Sequence, residues 1–250
     1  MQIRKEKKHA KFRFSFILLF IFASFAACFA LYMKSDDAIP VSNRNTEEVS
    51  DIDSDELYEE KISVVNPVPK SECAQDGYFD SALILAPEQM RGLSDYGTVP
   101  RDNLFTGNFT PSDIMTSTAV SFLTGKDYSS LYIFFGTDSA SSASSQGFDG
   151  LFQLISDINE KSDNVKIYLV SAIPLKADNE TETITNADIE SFNSLLLKFA
   201  SENDVNYLDL NTFLVGNDGK LPDNKAEAVG DRLKKDTYLE IADFLLTHIA

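Results

Sequence analysis

From Phe14 to Met33, twenty successive residues carry no charge: Phe-Ser-Phe-Ile-Leu-Leu-Phe-Ile-Phe-Ala, then Ser-Phe-Ala-Ala-Cys-Phe-Ala-Leu-Tyr-Met. A helix of that length rises about 30 Å, enough to cross a bilayer's hydrocarbon core. No polar stripe interrupts the run, so a buried core helix is the poorer reading. Six bases precede it (Arg4, Lys5, Lys7, Lys8, Lys11 and Arg13), against the single acid Glu6, and Asp36 and Asp37 follow it. That asymmetry orients an uncleaved anchor with its amino end in the cytoplasm and the rest of the chain outside.

Two processing alternatives stay open. A cleaved signal peptide needs a shorter apolar region and a small-x-small site. Phe25-Ala26-Ala27-Cys28 resembles a lipoprotein cleavage box, but the five residues after Cys28 are still apolar. The sequence therefore predicts a basic tail over 1–13, a transmembrane signal anchor over 14–33, an acidic tether over 34–70 and one domain over 71–250. It places the protein in the cell membrane, single-pass, with the domain extracytoplasmic.

Charge and cysteine content narrow the function classes. The chain has 250 residues and a net charge of −17, with the bases concentrated in the tail. A domain that acidic repels phosphate backbones, which argues against nucleic acid as a partner. The two cysteines, Cys28 and Cys73, lie inside and outside the apolar run. They can form neither a disulfide framework nor a structural zinc site. No motif implies a cofactor.

The tether holds Glu47, Glu48, Asp51, Asp53, Asp55, Glu56, Glu59 and Glu60. One-signed charge at that density stays solvated, and residues 34–70 are expected to pack against nothing. Asp51-x-Asp53-x-Asp55 hints at a calcium loop, but Glu56 stands where Gly is needed and Ile62 where the twelfth-position Glu belongs. A solvated spacer fits better, stiffened at its end by Pro67 and Pro69.

Beyond residue 71, short apolar runs alternate with amphipathic ones. Strands are predicted at 82–86, 131–135, 165–170 and 205–210, with a short one at 103–106. Helices are predicted after Pro111, from Phe148 through Ile158, across Ile189 to Phe199, and from Tyr238 to Ile249. Apolar strands alternating with helices imply a parallel sheet covered on both faces, whose crevice lies at the carboxyl ends of the strands. Ser139 to Ser145 reads as a flexible loop beside that crevice. Asn108-Phe109-Thr110 and Asn179-Glu180-Thr181 match the glycosylation sequon, which has meaning only in a eukaryotic secretory pathway.

The order of several segments carries a resemblance. Gly77-Tyr78-Phe79-Asp80-Ser81-Ala82-Leu83-Ile84-Leu85, Arg91-Gly92-Leu93, Tyr132 to Gly136, Val165 to Pro174, Tyr207-Leu208-Asp209, Asp218 to Pro222 and the last helix together resemble the bacterial SGNH (GDSL-type) hydrolases. The resemblance implies a three-layer α/β/α sandwich with a five-stranded parallel sheet of order 2-1-3-4-5. It also implies acyl-ester chemistry: a Ser nucleophile, a His three residues after an Asp as base, and a Gly amide and an Asn side chain at the oxyanion. The hydroxyl needs a base, and the developing charge needs preplaced donors.

This chain departs from that pattern at each position. Ala86-Pro87-Glu88 stands for Gly-Asp-Ser, so Glu88 occupies the nucleophile position. The oxyanion Gly falls near Asn108. Gly-x-Asn becomes Gly136-Thr137-Asp138, an acceptor in place of a donor. Asp-x-x-His becomes Val229-Gly230-Asp231-Arg232. The only histidines are His9 and His248. These departures predict a degenerate member, a non-catalytic binding module of the cell envelope, with a glycan or acylated polymer as the implied ligand class. They also predict an ion pair between Glu88 and Arg232, because an unpaired carboxylate in a dry crevice is costly. A hydrolase rebuilt on Glu88 and Asp138, or an interaction scaffold, are the alternatives.

Overall fold

The computed structural model describes residues 64–114, 128–142, 147–161 and 164–250. The chain divides into two units, Met1–Glu59 and Glu60–Ala250, and the described residues all belong to the second. The basic tail, the apolar run 14–33, the aspartates at 51, 53 and 55, and most of the acidic tether lie outside them. Among the described residues, no helix is long and apolar enough to cross a membrane.

Five strands form one parallel sheet: β1 (Ala82–Ala86), β2 (Leu104–Thr106), β3 (Ser130–Phe134), β4 (Lys166–Val170) and β5 (Asn206–Leu208), in the order β2-β1-β3-β4-β5. The predicted order therefore holds, with Ala82–Leu85 in the interior of the sheet. Consecutive strand residues point to opposite faces, and the core divides accordingly. Ile84, Tyr132, Tyr168 and Leu208 face one way, toward Leu93, Tyr238, Ile241 and Leu245. Leu83, Leu85, Ile133 and Leu169 face the other, toward Leu151, Leu154, Ile189 and Phe192. Because both faces are covered, β1 and β3 are buried at every position. This explains why they read as unbroken apolar runs rather than alternating ones.

The first face is covered by α1 (Gly92–Asp95), α5 (Leu210–Leu214) and α6 (Lys235–Thr247); the second by α2 (Thr137–Ser142), α3 (Asp149–Lys161) and α4 (Asn186–Glu202). The stripe Ile189, Phe192 and Leu196 gives α4 its buried side. A capping box starts the helix: Asp188 N donates to Thr185 Oγ1 and Thr185 N to Asp188 Oδ2. These two bonds satisfy amides that the first turn would leave unpaired. The helix expected after Pro111 falls mostly on residues outside those described.

Two expectations need correction. The tether does not run free to residue 70. Asn66 Nδ2 donates to Val205 O at 2.7 Å, Asn66 Oδ1 accepts from Tyr207 N at 2.7 Å, and Val68 N donates to Tyr207 O at 2.9 Å. Val68 is buried. The acidic residues are what keep a chain solvated, and their dense run ends at Glu60; the stretch Val64 to Pro69 carries no charge and is apolar enough to dock on the edge of β5. Nor is Ser139–Ser145 wholly a loop. Its first part belongs to α2, where Ser139 is buried and donates to Phe109 O at 3.0 Å.

Candidate active site

The parallel sheet gathers the loops after β1, β2 and β3 at one end. Gly107 N, just past β2, donates to Ala86 O, the last residue of β1. Gly136, just past β3, comes so close to Pro87 that a Cβ on it would sit 3.2 Å from the proline Cβ. Glu88, Asn108 and Asp138 thus follow three adjacent strands, and all three are exposed. Asp138 lies in the first turn of α2.

Glu88 opens a 3-10 turn that runs to Arg91. In that geometry residues three apart eclipse one another, so the Arg91 side chain falls onto Glu88. Arg91 Nε donates to Glu88 Oε2 at 2.8 Å and Nη2 to Oε1 at 2.6 Å. Thr106, at the end of β2 and in register with Ala86, closes the cluster. Its hydroxyl donates to Glu88 Oε1 and accepts from Arg91 Nη2, each at 3.0 Å. The bidentate arginine holds the Glu88 carboxyl below the usual carboxylate range, with the threonine assisting.

The expected pair between Glu88 and Arg232 is absent. Arg232 Nη2 meets Asp95 Oδ2 at 3.1 Å instead, and Asp95 Oδ1 lies 3.7 Å from Arg101. The physical reason is twofold. The Glu88 side chain is 62% exposed, so water removes the need for a distant cation, and Arg91 is nearer along the turn. Arg91 enters the sequence reading only within the Arg91-Gly92-Leu93 resemblance, and neither it nor Thr106 or Asp95 is a predicted site residue. The Glu88/Arg91 spacing was the available signal.

Arg232 and Val229 lie on a short hairpin. Ala226 and Leu233 form an antiparallel bridge, Glu227 N donates to Arg232 O, and Gly230 at φ 83° makes the turn. Val229 projects from its tip, 88% exposed. The hairpin reaches across to two strand ends. Gln89 Nε2, after β1, donates to Asp231 O, and Asn179 Nδ2, beyond β4, donates to Gly230 O. Below it, the buried Lys176 ammonium donates to Glu227 O at 3.2 Å. Tyr238 anchors the junction with α6, donating to Gln89 O at 2.6 Å and accepting from Leu233 N.

His248 stands at the other end of the sheet. The helix α6 starts beside Gln89 and runs back until Ala250 N reaches the Tyr168 hydroxyl and Ala250 O accepts from Lys166, the first residue of β4. The imidazole shares its Nδ1 with Phe244 O at 2.8 Å and stacks on the Phe244 ring. His9 lies outside the described residues. Among those residues, no group of three or more His, Cys, Asp or Glu is placed to hold a metal ion.

No protein-family model and no curated protein matches the sequence. Solved structures do. A protein from Streptococcus pneumonia described as a platelet activating factor aligns with a TM-score of 0.53 at 15% identity, over 66% of this chain and 81% of that one. A Desulfitobacterium hafniense protein described as lipolytic and of the G-D-S-L family gives 0.49 at 16% identity, over 68% and 99%. An acetyl xylan esterase gives 0.48 at 18%, over 68% and 100%. The fold is SGNH-like. Identities this low speak for the architecture alone, because one fold hosts many chemistries.

Proposed function

We propose that this chain is a membrane-anchored, extracytoplasmic SGNH-like protein whose crevice no longer runs Ser-His acyl transfer. In this reading it serves as a non-catalytic binding module of the cell envelope, for a glycan or acyl-ester ligand. The observation that carries the reading is the bidentate grip of Arg91 on Glu88 at the position where the resemblance puts a nucleophilic serine. A carboxylate held this way is a poor nucleophile and a poor general acid, since its charge is already shared by two donors. Among the described residues no histidine stands at this end of the sheet: Arg232 lies where the resemblance expects His, and His248 is at the opposite end. Asp138 would repel the developing oxyanion rather than stabilise it.

The alternative, paired carboxylates in the manner of glycosidases, requires one carboxyl with a raised pKa. The lowered Glu88 pKa runs the wrong way for that acid. The test is turnover of p-nitrophenyl acetate and of acetylated xylan by the full chain. Background rates support the proposal. Turnover that Glu88→Ala removes would overturn it.

A further inference from the structure

A cavity of about 520 Å³ opens on the α6 face, away from the crevice, and within the size range of small-molecule sites. Its floor is Ala242 and Leu246 of α6, with Phe79 and Val99 beside them. One wall is the segment from Cys73 to Asp80. It is pinned to α6 by Ala74 N donating to Leu246 O, and to the loop before β2 by Asn103 Nδ2 donating to Phe79 O. The opposite wall, Ser94 to Arg101, is folded onto Leu93 O by Thr98 N, Val99 N and the Thr98 hydroxyl. Backbone bonds hold both walls, so the cavity does not depend on mobile side chains for its shape.

Its polar groups are unevenly matched. Asp76 and Asp80 stand at the rim, both exposed, and neither forms an ion pair among the described residues. Arg101, the basic residue of the lining, is directed to Asp95, which Arg232 also holds. The cavity therefore combines an apolar floor, an aromatic wall at Tyr78 and two carboxylates without an ion-pair partner among the described residues, on a chain with a net charge of −17.

We infer that this cavity binds a small organic cation, an amine or ammonium group on a hydrocarbon body. The hydrocarbon fits the floor of Ala242, Leu246, Phe79 and Val99, and the positive group lies among Asp76, Asp80 and the Tyr78 ring face. The acidity of the whole domain favours entry of cations and disfavours anions of the same shape. This site is independent of the proposed crevice function and stands whether or not that reading does.

The test uses the full chain in a non-ionic detergent, with Cys28→Ser leaving Cys73, which lines the cavity and is exposed, as the sole thiol. Benzyltrimethylammonium is the probe and benzylsulfonate the shape-matched anion. Ligand-observed NMR gives the half-saturating concentration. The rate of Cys73 alkylation by iodoacetamide reports where the probe sits. The cation should bind saturably and shift the Cys73 rate with the same half-saturation, while the anion does neither. The double substitution Asp76→Asn with Asp80→Asn should weaken binding by roughly three- to tenfold, the scale of exposed charge pairs. Ala242→Phe, which fills the floor, should abolish binding; the exposed Asp76 and Asp80 provide the check should that variant not fold. Absence of saturable binding, equal binding of benzylsulfonate, or an unchanged affinity in the double variant would overturn the inference.

Discussion

The ring of Tyr238 occupies the space that a side chain on Gly92 would need: a Cβ built on Gly92 would lie 2.2 Å from Tyr238 Cε2. Gly92 is helical, at φ −57°, so the requirement is one of space and not of backbone conformation. The contact packs α1 directly against α6, and it brings the Tyr238 hydroxyl within 2.6 Å of Gln89 O. Gly92→Ala should therefore destabilise the domain by about 1–3 kcal/mol, the range for overpacked cores. Tyr238→Phe keeps the ring and loses the hydroxyl's bonds to Gln89 O and from Leu233 N, which should cost about 1–3 kcal/mol because the buried Leu233 amide is left unmatched. Urea titrations of both variants check this. A Gly92→Ala domain as stable as the parent would show that the ring can move aside.

The docked residues before the first strand yield a second prediction. Asn66 offers both halves of its amide to the β5 edge, to Val205 O and from Tyr207 N. Asn66→Ala removes both bonds and leaves an edge amide unpaired. A loss of about 1–2 kcal/mol is expected. A chain starting at Ser71 should be less stable than one starting at Val64, by thermal melting. Equal melting temperatures would mean that the stretch adds nothing to the fold.

The sheet was legible because β1, β3 and β5 are buried at every position and β4 at all but its first, and a doubly covered parallel sheet explains four such runs separated by helical patterns, while the short β2 is only half-buried. Apolar periodicity reports burial, and burial is what sets this architecture. The partner of Glu88 was not legible by the same logic. Choosing between Arg91 and Arg232 depends on whether the turn after Pro87 is 3-10 and on how exposed the carboxylate is. Neither quantity is a pattern of apolar residues. The docking of Asn66 was hidden for a related reason: a polar side chain satisfying two backbone groups leaves no periodic trace. The hairpin that carries Val229 and Arg232 could be read only as a loop, since its pairing is a single bridge, Ala226 with Leu233.

A pH effect follows from Glu180. Its Oε2 receives the Lys220 ammonium and its Oε1 receives both the amide and the side-chain nitrogen of Asn186. The lysine, then the Asn186 amide, holds the carboxyl down to about 2, against 4.5 for an ordinary glutamate. The unfolded chain thus binds a proton at a pH where the folded one does not. The stabilisation is complete above 4.5 and is lost as pH falls from there toward about 2. Glu180→Gln should flatten the acid limb of the stability profile in that window and leave the neutral region's slope unchanged. Denaturant midpoints measured from pH 2 to 7 would show it. An acid limb of unchanged steepness would assign the cluster no part in it.

The last prediction concerns which arginine governs the crevice. Arg91 touches both oxygens of Glu88, whereas Arg232 is committed to Asp95. Removing Arg91 takes away the group that favours the ionised carboxylate, so Arg91→Ala should raise the Glu88 pKa toward the ordinary value. Arg232→Ala should leave it where it is. Carbon-detected NMR titration of the Glu88 carboxyl separates the two variants directly. Because the Glu88 side chain is 62% exposed, water screens its pair with Arg91, and Arg91→Ala should leave stability nearly unchanged through that pair. The same geometry bears on restoring chemistry. Glu88→Ser supplies a hydroxyl at the end of β1, but its neighbours are the Arg91 guanidinium and the Thr106 hydroxyl, and neither can take its proton at neutral pH. Ester turnover by Glu88→Ser should stay at background, and adding Arg232→His should be needed before any rate appears. Turnover by the single Glu88→Ser variant would mean that another group at this end of the sheet acts as the base, with Asp138 the first candidate to substitute.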